Sequence, residues 1–412
     1  MWLLLLMIYV MPYEASPYLY LGDSFLGVPD FTVIKLLGFI GFGWALFRIA
    51  GGGVPEGVME SRQAKLFGLL VLGVVLAGLL SGSGFIAVQR YVAFMMFLPL
   101  VLASVRTRED LRRVLRAIAL SLALTFPYAL RQMGRFDGRL GVGLYEPNYF
   151  AANLCLVIPF AVALAVARPT RWGRGAWLAV SGVLVLSLLL TGSRGGFLGL
   201  LAASAIFVYR RRGAGAAIAL VAALVLAALP TSLGERALQT LFQDADVPTD
   251  LEASNEAHMA LFWGGLRMIA DSPLTGVGPN NFKRLSALYS GLDYNFIAHN
   301  TYLELGAELG VPVLVIFLLM VVAAFRGLKH AVLAGGLDRA AAELAAWAEG
   351  LRSGLVGFMV AGTFISAQYE KWFWLAVFLT IVVGRIAVTR EREALEAAPG
   401  ETWPSLPRPA VP

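Results

Sequence analysis

Cysteine, histidine and charge are all scarce in this chain of 412 residues. The one cysteine, Cys155, allows no internal disulfide and no cysteine-built metal site. The three histidines, His258, His299 and His330, show no HExxH or paired spacing. A protein-built zinc centre is therefore not expected, and no cofactor is implied. Charged residues make up 15% of the chain, against about 25% in an ordinary soluble domain. What replaces them is apolar: 58% of residues are hydrophobic, and the mean hydropathy is +0.72. The apolar residues fall in runs of roughly 17–25, the length a helix needs to cross a bilayer. The alternating segments of about ten residues that a membrane barrel needs do not occur. An all-α polytopic membrane protein follows, because helices satisfy their own backbone in lipid.

The net charge is +6. The basic residues are scattered between apolar runs instead of forming one stripe, so no nucleic-acid partner is expected and membrane lipids are. About twelve spans are expected from the hydropathy pattern. They fall near residues 1–21, 31–50, 65–82, 85–104, 113–130, 147–167, 175–192, 195–210, 214–230, 300–325, 351–367 and 372–388. Met1–Met11 lacks a basic leader and an Ala-x-Ala-like site, so it reads as the start of the first span. The segments Arg106–Arg116, Arg168–Arg174, Arg210–Arg212 and Arg326–Arg352 are basic, as is the tail with Arg385, Arg390 and Arg392. With twelve spans all of these share one side, which then holds about 22 of the 33 Lys and Arg residues, the cytoplasmic side by the positive-inside rule.

The expected organisation is four-part. Residues 1–230 carry about nine membrane helices, and 231–298 form an extracytoplasmic loop. Residues 299–392 carry about three more helices with a cytoplasmic interfacial segment, and 393–412 form a disordered tail. The loop is long enough to expect a functional role. It contains acidic residues Asp244, Asp246, Asp250, Glu252 and Glu256, then an amphipathic helix over Glu252–Ala270. Leu261, Phe262, Leu266 and Ile269 are expected on its apolar face, and Asp271-Ser-Pro ends it.

The informative residues are arginines on the outer side: Arg90, Arg131, Arg135, Arg139, Arg194 and Arg267. Charge near membrane depth is costly and usually functional. Arginine grips phosphate oxygens bidentately and stays charged. Arg194 lies in Thr191-Gly-Ser-Arg-Gly-Gly-Phe197, a turn whose following helix offers free N–H groups to an anion. The plainer alternative is an arginine reaching lipid headgroups. His299 lies in Ala298-His-Asn-Thr-Tyr-Leu-Glu304, where the loop re-enters the membrane. It suits a general base near neutral pH, or it simply bonds within the cap that Asn300 and Thr301 provide. His258 reads as a surface residue, and His330 falls on the opposite side. Glu146-Pro147-Asn148 marks a helix start, with Arg131, Arg135 and Arg139 crowded ahead of it. Glu146, Asn148, Arg90, Asn300 and Tyr302 join these arginines as candidate substrate-binding residues.

These motifs resemble the O-antigen ligase and polymerase superfamily of bacterial polysaccharide assembly. The resemblance rests on Tyr145-Glu-Pro-Asn-Tyr-Phe-Ala151, Thr191-Gly-Ser-Arg-Gly195, Asp271-Ser-Pro-Leu-Thr-Gly-Val-Gly278, Ala298-His-Asn-Thr-Tyr-Leu-Glu304 and Leu309-Gly-Val311. They stand in the family's order over roughly residues 30–390. The resemblance implies a metal-independent GT-C-type glycosyltransferase of the bacterial inner membrane, with its active site facing the periplasm or exterior. Its donor would be a glycan on undecaprenyl diphosphate. The family's essential arginines fall on Arg194 and Arg267 and its histidine on His299. The acceptor would be lipid A–core in a ligase, a growing glycan in a polymerase, or a protein in an O-oligosaccharyltransferase. A lipid-linked glycan transporter is the non-enzyme alternative. It would call for charge at mid-membrane and symmetry between halves, and no repeat is seen.

Overall fold

A computed structural model describes residues 1–14, 16–25, 28–52, 61–143, 146–231, 233–235, 250–336 and 338–397. Tyr145, Asp244 and Asp246 lie outside them, as do residues 398–412. The described chain is almost entirely helical, consistent with an all-α integral membrane protein. Helices α1 to α5 span Trp2–Val10, Val33–Ala50, Arg62–Leu80, Gly84–Ser104 and Arg108–Leu124. Short α6 is Phe126–Gln132, and α7 to α10 span Pro147–Val166, Arg171–Leu190, Arg194–Arg212 and Ala214–Ala228. Between α10 and the next long helix lie α11 (Asp250–Asp271) and α12 (Phe282–Ser290), followed by α13 (Thr301–Leu333), α14 (Arg339–Ala361) and α15 (Lys371–Ala397).

Among the described residues, seven stretches are long and apolar enough to cross a membrane: Val33–Ala50, Arg62–Leu80, Arg108–Arg135, Pro147–Val166, Arg171–Leu190, Thr301–Gly336 and Lys371–Ala394. Three shorter apolar helices accompany them, Trp2–Tyr13, Val88–Ser104 and Ala214–Ala228. The first expected span, 1–21, does not form as such. Its helix closes at Val10, and Pro12 and Pro17 begin separate 3-10 turns. A proline lacks the N–H that would continue the ladder. The chain then forms a small antiparallel hairpin, β1 (Tyr20–Phe25) with β2 (Val28–Thr32), in register Tyr20 to Thr32 and Phe25 to Val28. Near the C-terminus, α14 runs unbroken from its Asp338 cap through the Ala-rich stretch to Ala361. Helix α15 extends to Ala397, into the stretch read from sequence as a disordered tail.

Both ends of the bundle are tied by polar contacts. At one end Arg108 pairs with Glu343 at 2.9 Å, Arg210 with Glu349 at 3.3 Å, and Arg390 with Asp338 at 2.7 Å. Arg385 donates to the carbonyls of Val105 and Arg106, and Arg112, Arg168 and Glu343 line one crevice. The basic segments therefore do share an end. Helices α11 and α12, the hairpin and the Glu146–Asn148 and Thr191–Arg194 turns gather at the opposite end.

The core between them is aromatic and glycine-lined. Trp374 packs with Phe67, Phe94 and Phe373 at centroid distances of 5.3–5.4 Å. Gly350, Gly354 and Gly357 of α14 lie against Phe160 and Leu156 of α7 and Gly199 of α9. A side chain at Gly354 would overlap the Leu156 carbonyl, so glycine there sets how closely these helices approach. This packing fixes where α9 begins, and with it Arg194. Cys155 is buried in the same seam, its thiol donating to the Gly196 carbonyl at 2.8 Å.

Helix α13 is interrupted. Gly310 adopts φ 83° and ψ 164°, a conformation open only to glycine. Into this break docks the strap Pro273–Gly278. Val311 N–H donates to the Pro273 carbonyl, Val277 N–H to Ala307 and Gly278 N–H to Glu308, at 2.8–2.9 Å. Non-helical backbone near membrane depth is tolerated where protein groups satisfy it. The break leaves a short helical half, Thr301–Leu309, packed against α11 and α12.

Candidate active site

Three sequence-distant segments converge above that half-helix. Helix α9 starts at Arg194, with Ser193 as its cap: the Ser193 hydroxyl oxygen accepts from Gly196 N–H at 3.2 Å. Arg194 is half-buried. The next residue, Gly195, abuts Phe364, leaving no room for a side chain. Phe364 belongs to the turn after α14, and that turn is bonded to Thr301. Thr301 N–H donates to the Gly362 carbonyl at 2.8 Å and its hydroxyl to Ile365 at 2.7 Å. Two residues before Thr301 stands His299, half-buried and held at φ 49°. A non-glycine residue in the left-handed region is uncommon and must be held by its surroundings.

Against His299 lies His258, from α11. The two imidazoles meet edge to face with centroids 4.5 Å apart, and Phe296 covers another side of His299 at 5.1 Å. Sequence reasoning set His258 aside as a surface residue. It is exposed, as that reading expects, yet its ring meets His299, and no spacing rule joins residues 258 and 299. Burial holds the His299 pKa down at about 4, and the neighbouring His258 adds to this. Burial, then the positive charge of Arg194, lowers that of His258. Both rings are therefore neutral near pH 7, with a nitrogen able to accept a proton.

The Glu146–Asn148 motif joins the same end through Arg139. The Arg139 guanidinium donates to the Thr191 carbonyl at 2.8 Å and to Asn148 Oδ1 at 2.9 Å. The Asn148 amide in turn donates to Glu146. Arg139 thus links the turn that carries Arg194 to the start of α7.

The remaining expected residues take other places. Asn300 Oδ1 accepts from Tyr302 N–H and Leu303 N–H at 3.0 Å, the capping role. The Tyr302 hydroxyl donates to the Met359 carbonyl at 2.7 Å, tying α13 to α14. Arg90 lies over the Tyr369 ring at 4.9 Å, and its charge reaches the buried Glu304. Arg131 and Arg135 are exposed at the end of α6 and on the turn after it. Arg267 is exposed and donates to the Tyr289 carbonyl at 2.7 Å. It stands nine residues beyond His258 on α11, about 13.5 Å of helical rise and half a turn of azimuth away. Among the described residues, the contacts that gather Arg194, His258 and His299 do not include Arg267.

The expected apolar face of α11 is also corrected. Leu261 and Met268 are buried and Ile269 partly so, whereas Phe262 and Leu266 are exposed. Gly264 and Gly265 let the helix sit closely on Ser290 and Leu303, which rotates the buried stripe toward the glycines. His330, at the basic end, pairs with Glu391 at 3.1 Å, far from this site.

Residues 179–318 match the family model described as O-antigen ligase. The matched region is about a third of the chain and runs from α8 into α13, so it contains Arg194, His258, Arg267 and His299. The match supports the O-antigen ligase superfamily, whose members in general act as ligase or polymerase glycosyltransferases on lipid-linked glycans and their acceptors. No curated protein matches the chain.

Proposed function

We propose that this chain transfers a glycan from an undecaprenyl-diphosphate-linked donor to an acceptor hydroxyl, as an O-antigen ligase. The observation that carries the reading is the meeting of a neutral, half-buried imidazole, His299, with a second imidazole and an arginine at one end of a membrane bundle. The basic opposite end lies in the cytoplasm by the positive-inside rule, so the site faces the periplasm. The twelve-span, GT-C-type arrangement belongs to this same reading.

In this mechanism Arg194, at the positive end of α9, holds the diphosphate and stabilises the charge that grows as the glycosidic bond breaks. His299 takes the proton from the acceptor hydroxyl as that oxygen attacks the anomeric carbon. The lipid diphosphate departs with the bonding electrons, and attack from the opposite face inverts the centre. Burial first, and the His258 ring beside it second, keep that base neutral. Arg139 fixes the turn from which Arg194 projects. Arg267 enters through the resemblance, as a second cation for the long donor. Arg131 and Arg135 form the rim that an anionic acceptor meets.

Reconstituted transfer with purified lipid-linked donor tests the reading. Lipid A–core, a second lipid-linked repeat unit, and a protein acceptor form its three arms. The wild type is expected to load lipid A–core, and His299→Ala to abolish transfer while retaining donor binding. Chain growth on the lipid-linked repeat alone would make the protein a polymerase. Full activity of His299→Ala would remove the base from the mechanism.

A further inference from the structure

The half-helix Thr301–Leu309 carries two glutamates one turn apart, Glu304 and Glu308, both buried. Burying a carboxylate is costly unless donors surround it, and a leucine at either position would fit an apolar helix at no such cost. Their partners differ. Glu308 accepts from Phe282 N–H at 3.0 Å and from the Tyr369 hydroxyl at 3.3 Å, holding the start of α12. Glu304 faces the catalytic turn. One of its oxygens accepts from Ala298 N–H at 3.1 Å and from the Ser366 hydroxyl. The other accepts from the Gln368 amide at 2.5 Å.

These three donors come from the two strands of chain that flank the site. Ala298 is the residue before His299. Ser366 and Gln368 end the turn whose Phe364 wedges against Gly195, beside Arg194. Gln368 is 1% exposed and Ser366 5%, so water does not substitute for either bond. The same turn receives Thr301 from the other side, since Ala367 N–H donates to the Thr301 hydroxyl at 2.9 Å. His299 sits in a left-handed conformation that its own side chain does not favour, and the peptide entering it is fastened at Ala298.

We infer that Glu304 is a positioning residue: its carboxylate fastens the His299 turn and the Phe364 turn to each other and so sets the separation of His299 from Arg194. This rests on the transferase reading above, because only there does that separation govern a rate. Displacing a general base by about 1 Å costs up to about a hundredfold in turnover.

Glu304→Leu removes every acceptor. Glu304→Gln keeps one oxygen for Ala298 and Ser366, and its new amide can donate to Gln368 Oε1, which is without a partner, once that side chain turns over. The expected result is a fall in kcat of about ten- to a hundredfold for Glu304→Leu with the donor KM changed by no more than about twofold, and recovery to within about threefold of wild type in Glu304→Gln. Hydrogen–deuterium exchange on the same proteins should show faster exchange over residues 297–301 in Glu304→Leu only. A purely structural glutamate would lower the yield of folded protein without changing kcat per folded molecule. Wild-type kcat in Glu304→Leu, or a Gln variant as slow as the Leu variant, overturns the inference. If Glu304→Leu does not accumulate, Ser366→Ala combined with Gln368→Met frees the turn while leaving Glu304 in place. The same kcat loss is expected there, and its absence is equally fatal. A wild type inactive in transfer would refute the transferase reading instead, while the exchange data would still judge the fastening.

Discussion

Transfer should persist to a pH at which an ordinary histidine base is mostly protonated. The structure lowers the His299 pKa to about 4, through burial first and the His258 ring second. A lowered pKa means that the neutral form, the one that accepts a proton, survives until the pH falls through that value. At pH 5.5 a base with a pKa of 6.5 is only about 9% neutral, whereas one near 4 is about 97% neutral. The rate at about pH 5.5 relative to about pH 7.5 is then close to one, against about one-tenth for an unshifted ring. Initial rates in proteoliposomes at the two pH values distinguish these. The same sign governs folding. Between about 4 and 6.5 the unfolded chain binds more protons than the folded one, so stability declines as pH falls through that window. Melting curves at each pH therefore accompany the rates. His258→Ala opens His299 to water and removes the neighbouring ring, so its acid limb should move upward toward 6.5. A tenfold loss of wild-type rate at about pH 5.5 in protein that remains folded would refute the reasoning.

Two further outcomes follow from the geometry. Arg139→Lys keeps the charge, but one ammonium cannot bond Thr191 and Asn148 together. Losing one charged hydrogen bond, about 1.5 kcal/mol, should lower kcat/KM roughly tenfold in the transfer assay, and an unchanged rate would separate Arg139 from the site. Gly310→Ala places a side chain on the Leu274 backbone in a conformation costing about 1–3 kcal/mol. Its melting temperature in detergent should fall, with earlier proteolysis near residues 273–278, and a melt identical to wild type would show that the break is not locked.

The sequence was most legible where lipid dictates the pattern. Apolar run length placed most of the described helices, and the cap expected at Asn300 marks a real start. It was less legible at Trp2–Thr32, where two prolines and a hairpin replace the end of one expected span. The periodicity of α11 misled because Gly264 and Gly265 pack more closely than Phe262 and Leu266, an effect of approach distance that hydrophobicity does not record. The contact of His258 with His299 was not legible, because the two rings meet only through the fold. Glu304 and Glu308 did carry a signal, two carboxylates one turn apart inside an apolar run, the kind of intramembrane charge that usually marks a function.

The strap that docks in the interruption at Gly310 has a bearing on which part of this end of the bundle can move. Its peptide groups bond directly to those of the membrane-crossing helix on both sides of the gap. The C-terminal end of α11 is thereby anchored to α13 through backbone hydrogen bonds. It cannot swing up like a flap hinged there. Movement of α11 away from α13 would therefore begin at its leading half, the half that carries His258 and not the one that carries Arg267.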